Sequence, residues 1–272
     1  MNLIFFIILV VSSNLWGITI NTIMGPCDIH IYGGKISKID IVYDKIINET
    51  QSMVNQWGHL TTAPFSVYIT DSKKDFYNKA KGPIPEWGIA VFKQDPDRII
   101  IQAPNVSGIT FERLLKVISH ELNHLYLNRI TKSHSMPKWY KEGMAMKQAD
   151  EFSMKHRFEI SKAKWNNKLL YINDLEAFNK VQKSNVTLAY AQSAAMVYAL
   201  EYFYGNKIHL LIINSMENNN SFWRAIQNIT GQNRTDININ LEIFIEDNYN
   251  WMFLANLSKY IFIILPFILI GG

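Results

Sequence analysis

Cysteine is almost absent from the chain, since Cys27 is the one cysteine among 272 residues. A single cysteine excludes an internal disulfide framework. The hydrophobic fraction of 48% is instead enough for one domain of about 200 residues together with apolar segments at the chain ends.

Runs of positive charge are also absent. Lys73-Lys74 is the only adjacent pair of basic residues, and the formal net charge of +4 is modest. Nucleic acid is therefore not expected as a partner. The chain has no internal repeat and no low-complexity tract, which excludes repeat architectures.

Two histidines and a glutamate lie together in the segment Ser119-His120-Glu121-Leu122-Asn123-His124. The histidines are four residues apart, so on a helix both imidazoles project from one face and can bind one metal ion. Glu121 is placed to reach a water on that ion without itself binding the metal.

The helix carrying this motif is predicted to be largely buried, with Thr110 as its N-cap. Its apolar residues recur at helical spacing: Leu114, Leu115, Val117, Ile118, Leu122, Leu125 and Tyr126. A buried helix needs partners for its polar side chains, because unpaired buried polar groups are costly. A metal ion is the simplest partner. The alternative is a pair of core histidines satisfied by other hydrogen bonds.

Glu142 is the expected third ligand, eighteen residues after His124 with no acidic residue between them. Three protein ligands leave the fourth tetrahedral position of a zinc ion open, as a catalytic site requires. The small residues Gly143 and Ala145 are expected to permit close approach of this second helix to the first. The alternative is a solvated glutamate beside Trp139.

The stretch His120-Glu121-Leu122-Asn123-His124, followed by Pro137-x-Trp139-x-x-Glu142-Gly143-x-Ala145, resembles the peptidase MA-like family of gluzincin metallopeptidases. Looser similarity covers roughly residues 40–230 and includes Phe65–Ser72, Trp87–Val91, Arg98–Pro104, Ala189–Ala194 and Leu200–Gly205. The resemblance implies a zincin-like, thermolysin-like catalytic core with one zinc ion. Thermolysin-type enzymes carry an aspartate one turn after the glutamate ligand, where this chain has Met146. Asp150, about two turns after Glu142, is a candidate to orient a ligand histidine instead.

The ligand set predicts a zinc metallopeptidase in which Glu121 is the general base. Tyr190 is a candidate donor to the developing oxyanion; the alternative is an aromatic packing residue among thirteen tyrosines. The substrate would be a peptide or protein. If the strand predicted at Arg98–Pro104 lies at the sheet edge, a peptide could bind it by strand addition. An ordinary core strand is the alternative.

The predicted fold class is α+β. A small, mostly antiparallel sheet from about residues 28–47 and 62–104 would pack on the active-site helix pair at about 112–130 and 137–153. Further C-terminal helices would follow, from 189–204 to about 255. The metallopeptidase domain is expected to span residues 28–250.

Both chain ends are apolar and predict export. Residues 1–25 contain the unbroken apolar run Leu3–Val11 and read as a signal peptide or N-terminal anchor. Residues 251–272 read as a membrane anchor, although the thirteen residues after Lys259 are fewer than the ~20 that span a bilayer. A truncated reading frame is the alternative for this tail. The expected location is extracytoplasmic.

Three functions compete on these observations. The leading one is a membrane-tethered zinc peptidase acting outside the cytoplasm. The second is a zinc-binding but inactive homologue that serves as a peptide-binding scaffold, against which the presence of Glu121 argues. The third is an exported membrane protein with an accidental motif, against which the occurrence of Glu142 beside Trp139 and Gly143 argues.

Overall fold

The computed structural model describes residues 15–32, 38–58, 62–82, 84, 88–131, 136–177, 181–218 and 220–250. The chain divides into two compact units, Met1–Lys132 and Ser133–Gly272. The sheet belongs to the first unit, and the described part of the second unit is helical.

The first unit contains a five-stranded mixed sheet. Its strands are β1 (Leu15–Thr22), β2 (Gly25–Tyr32), β3 (Phe65–Thr70), β4 (Ala90–Lys93) and β5 (Arg98–Gln102), in the order β1-β2-β3-β5-β4. The pairs β1/β2 and β4/β5 are antiparallel, whereas β2/β3 and β3/β5 are parallel. The α+β class is confirmed. The sheet is mixed rather than mostly antiparallel. A helix connects β2 to β3, and a helix and β4 lie between β3 and β5 in the chain, so both connections are long enough to cross over and return the chain parallel.

Four helices accompany the sheet in this unit: α1 (Ile39–Trp57), α2 (Lys73–Ala80), the short α3 (Pro104–Ser107) and α4 (Phe111–Thr131). Alternate residues of β2 and β3 are buried, which defines an inner face that includes Ile29 and Val67. The three central residues of β5, Ile99–Ile101, are all fully buried. Helices α2 and α4 both contact β5, so this strand is covered on both faces, as its unbroken apolar run requires.

The sheet boundaries expected at the N-terminal side were wrong. Residues 39–47, expected in the sheet, belong to helix α1: Val42, Ile46, Met53 and Trp57 are buried at helical spacing. Strand β1 lies within residues 1–25, and it pairs along its whole length with β2. β-branched residues occur in both β1 and α1, so they do not by themselves distinguish a strand from a helix.

Strand β5 lies inside the sheet between β3 and β4, so of the two alternatives for Arg98–Pro104 the structure has the core strand. The outermost strand on that side of the described sheet is β4. The strand to which a peptide could add there is therefore β4, whose residues are all half-buried.

The second unit contains seven α-helices in its described part. They are α5 (Lys138–Gln148), α6 (Met154–Trp165), α7 (Ile172–Glu176), α8 (Val186–Tyr204), α9 (Ile208–Glu217), α10 (Phe222–Thr230) and α11 (Arg234–Tyr249). Helix α8 is central, because it contacts α5, α6, α9 and α11. Half of its ten buried residues are alanines, which let neighbouring helices approach closely.

Several expectations fall outside the described residues. These are the apolar run Leu3–Val11, the tail 251–272 and Trp87 of the resembling segment. None of the helices in the described ranges has both the length and the apolar composition of a membrane span. The domain limits 28–250 stay a prediction.

Candidate metal centre

Helix α4 carries His120, Glu121 and His124 in the middle of its 21 residues. The Thr110 hydroxyl accepts a hydrogen bond from the backbone N–H of Arg113 at 3.1 Å, as expected for its N-cap. The two imidazole rings lie edge to face with centroids 4.9 Å apart. Both histidines are half-buried, whereas the Glu121 side chain is 7% exposed. The four-residue spacing thus places both rings together on the helix, as predicted.

Helix α5 carries Glu142, which is also 7% exposed. Pro137 is the N-cap of this helix, and its fixed φ suits a helix start. Trp139 and Tyr140 are fully buried and pack on Phe222 of α10. Glu142 therefore belongs to a helix that large aromatic side chains anchor in the core, and it is not a solvated surface residue.

His120, His124 and Glu142 form a group that could hold a metal ion. Each offers one ligand atom, a ring nitrogen or a carboxylate oxygen, and these atoms all lie within 4.8 Å of one another. Two imidazoles and one carboxylate are a ligand set of catalytic zinc sites, in which a fourth position stays open. The residues therefore fit such an ion by type and by spacing.

Gly143, the residue after Glu142, allows α5 to contact α8 closely. A Cβ added to Gly143 would lie 2.3 Å from the Ser193 carbonyl oxygen and 2.6 Å from Val197 Cγ2. Gly143 was expected to allow α5 to approach the first metal-site helix. In the structure it allows α5 to approach α8, within the second unit. Burial of Ala145 is complete.

The remaining nominated positions lie on or near these helices. Tyr190 is half-buried in the second turn of α8. Met146 is 2% exposed and belongs to the apolar core. Asp150 is exposed and follows the C-cap of α5 with a positive φ of 49°. Its role in orienting a histidine stays a prediction, as does the role of Tyr190.

One polar cluster was missed at the level of sequence. His209 on α9 is 1% exposed, and its Nδ1 lies 2.9 Å from the hydroxyl of Tyr140 on α5. The available signal is its position in the apolar run Ile208-His209-Leu210-Leu211-Ile212-Ile213, where a polar side chain needs a partner. Sequence alone does not identify that partner, because it lies 69 residues away.

Burial dominates the electrostatics around Glu142. Desolvation raises the pKa of Tyr140 well above its usual range, with a smaller contribution from the Glu201 carboxylate. Desolvation also lowers the pKa of Lys141, and the neighbouring Glu142 carboxylate opposes that shift. Burial, then the positive charge of Lys147, lowers the pKa of His209 to about 3. Tyr140 and His209 are therefore both neutral near pH 7.

Comparison with protein families gives one assignment. The model of the Peptidase MA superfamily matches residues 48–247, which include all three metal-ligand candidates and Glu121. Among the curated proteins, none matches the chain.

Several solved structures are similar at low sequence identity. An M1 zinc metallopeptidase mutant from Deinococcus radiodurans is 11% identical, with a TM-score of 0.48. The match covers 85% of this chain and 52% of that protein's chain. A two-domain M1 zinc metallopeptidase mutant bound to L-arginine is 10% identical, with a TM-score of 0.46 and the same coverage. An aminopeptidase N family protein from Idiomarina loihiensis is 10% identical, with a TM-score of 0.46. The match covers 90% of this chain and 44% of that protein's chain. The chain thus spans about half the length of these proteins.

Proposed function

The chain belongs to the peptidase MA superfamily, and we propose that it is a zinc-dependent peptidase that hydrolyses peptide bonds. One observation carries the proposal: the ligand atoms of His120, His124 and Glu142 lie within 4.8 Å of one another in a member of this superfamily. These residues would hold one zinc ion. The substrate would be a peptide or a protein.

Glu121 would be the general base of the reaction. Zinc held by these residues would supply a bound water of lowered pKa and would polarise the substrate carbonyl. The Glu121 carboxylate would accept the proton of the attacking water and pass it to the leaving amine. Burial of Glu121 to 7% exposure supports this role, because an acid–base group shielded from bulk water exchanges its proton with the substrate.

Tyr190 is our candidate for the second donor to the oxyanion. Its phenol O–H would donate a hydrogen bond to the charge that develops on the substrate oxygen. Its place in the second turn of α8, half-buried, supports this choice. Replacing Tyr190 by Phe would then lower kcat far more than it changes KM, since the bond forms in the transition state. Equal activity of the two proteins would remove Tyr190 from the mechanism.

The metal site is tested by zinc content of the purified full chain. Plasma mass spectrometry should find one zinc per wild-type chain, and the ion should be lost in Glu142→Ala. Glu217→Ala, at an exposed position at the end of α9, is the matched control and should keep its zinc. A folded wild-type protein without zinc would contradict the proposal.

The chemistry is tested separately with Glu121→Gln. This variant should bind zinc as the wild type does, yet lose hydrolysis of a peptide library. A variant that keeps its hydrolytic activity would exclude Glu121 as the base. A wild type that binds zinc and cleaves no peptide would instead support a zinc-binding scaffold.

We further place the enzyme outside the cytoplasm, tethered to a membrane. The apolar run Leu3–Val11 and the apolar residues 251–272 support this location. Fractionation of cells that express the full chain, with protease added to intact cells, tests it. A protein found entirely in the cytosolic fraction would contradict the proposal.

A further inference from the structure

Four polar side chains connect three helices of the second unit: two are buried, and Glu201 and Lys147 are half-buried. The Tyr140 hydroxyl of α5 lies 2.9 Å from His209 Nδ1 of α9. His209 Nε2 lies 3.5 Å from Glu201 Oε1 of α8, and Glu201 Oε2 accepts a hydrogen bond from Lys147 Nζ of α5 at 2.6 Å. We call these four residues the α5 relay.

The chemistry of the donors sets the proton positions in the relay. Tyr140 is fully buried, so its phenol O–H needs an acceptor, and His209 Nδ1 is at hydrogen-bond distance. A neutral imidazole that accepts at Nδ1 carries its proton on Nε2. Nε2 lies 3.5 Å from Glu201 Oε1, at ion-pair distance but outside hydrogen-bond geometry.

The relay attaches to α5 on both sides of Glu142. Tyr140 lies two residues before Glu142, and Lys147 lies five residues after it. Between them, Gly143 is in direct contact with the α8 backbone at Ser193. The Lys147 ammonium also lies 4.8 Å from the centre of the Tyr198 ring of α8. Rotation or sliding of α5 would break contacts at both ends of the relay.

We infer that the α5 relay is a positioning device for the metal ligand Glu142, so that Tyr140, His209, Glu201 and Lys147 set the affinity of the site for its ion. The inference rests on the proposed zinc site. None of the four residues would bind the metal. They act through the helix, because a carboxylate held in one orientation loses less freedom when it coordinates an ion.

Zinc affinity of the full chain, measured by competition with a chromophoric chelator, tests the relay. Tyr140→Phe removes one hydroxyl and keeps the aromatic packing, and we expect the zinc dissociation constant to rise about tenfold, at the low end for indirect partners of a metal. Lys147→Gln breaks the other end at a more exposed position and should also weaken binding. Tyr204→Phe is the matched control, since it also removes one hydroxyl, which accepts a hydrogen bond from Asn240 on α11 at 2.8 Å.

Two further readouts separate positioning from mere stability. Stability of the metal-free proteins is measured by urea denaturation, and the visible spectrum of bound Co²⁺ reports ligand geometry. Weaker zinc binding and a changed Co²⁺ spectrum in Tyr140→Phe and Lys147→Gln, with the control unchanged, would support the relay. Unchanged zinc affinity in both variants would overturn it while leaving the zinc site intact. A wild type without zinc would overturn the proposed function, and the relay's role with it.

Discussion

Arg129 holds the C-terminal part of α4 to three separate segments of the first unit. Its guanidinium donates to Asp97 Oδ2 at 2.7 Å, to the Met24 carbonyl at 2.8 Å and to the carbonyls of Ala63 and Pro64 at 3.0 Å. The side chain is 8% exposed. One residue, five positions after His124, therefore connects the motif helix to the β1–β2 turn, the segment before β3 and the β4–β5 turn.

Replacing Arg129 by Met should lower the free energy of unfolding by about 3–5 kcal/mol, because Asp97 and three carbonyls lose a buried partner. Methionine keeps most of the apolar stem, so the loss reports the guanidinium. Arg224→Met, at an exposed position on α10, should change stability by less than about 0.5 kcal/mol. Urea denaturation measures both. Equal stability of the two variants would show that Arg129 is not a structural connection.

At the scale of elements, the packing of α5 on α8 depends on the absence of one methyl group. The atoms nearest to a Cβ at Gly143 include backbone atoms of Ser193, at 2.3 and 2.8 Å. Backbone cannot move aside as the end of a flexible side chain can. Close helix contact at this position is therefore a requirement of the fold and not an adjustable detail.

Gly143→Ala should destabilise the protein by about 2 kcal/mol through overpacking. The sign is informative, since alanine in a helix interior is otherwise favoured over glycine by about 1 kcal/mol. Adding Val197→Ala removes the side-chain part of the clash but not the carbonyl. The double variant should thus remain less stable than Val197→Ala alone. Thermal unfolding that is unchanged or higher in Gly143→Ala would contradict the geometry.

The strands and helices differ in how well local pattern predicted them. Helix α4 was predicted well because its apolar stripe, cap and motif all lie within 22 consecutive residues. The first part of helix α1, to about residue 47, was predicted as sheet. Ile39, Ile41 and Val42 are β-branched, and the helical period appears only over the full length of the helix. The position of β5 inside the sheet depends on pairing with β3, which no local pattern encodes.

At the scale of the whole molecule, stability should fall with acid through His209. Its pKa is about 3 in the folded protein, against about 6.5 in an unfolded chain. Between these values the unfolded state binds a proton that the folded state does not, so the free energy of unfolding falls as pH falls below about 6.5. The groups facing the ring are Tyr140 and Lys147 on α5 and Glu201 on α8.

The measurement is the free energy of unfolding at pH 7 and pH 5, with a chelator present, for wild type and His209→Gln. The wild type should lose about 2 kcal/mol more than the variant over this interval. Other titrating groups contribute equally to both proteins and cancel in the difference. Identical losses would mean that His209 takes up a proton between pH 7 and pH 5 as readily in the folded protein as in the unfolded chain.

The candidate site could be predicted from sequence because its residue types and short spacings carry the chemistry. His120, Glu121, His124 and Glu142 lie within 23 positions of the sequence, and their residue types alone indicate metal ligands and a general base. The relay could not be predicted, since Tyr140 and His209 are 69 residues apart and neither has a chemical signature of its own. Likewise, the neighbour of Gly143 depends on how α5 and α8 pack.

Cys27 gives the molecule a built-in reporter of motion. The thiol is fully buried on β2, and burial raises its pKa, so the reactive thiolate does not form while the sheet is closed. A thiol reagent can react only after β2 separates from its neighbours. Because Cys27 is the one cysteine of the chain, the rate at which it is labelled measures how often the sheet opens around β2.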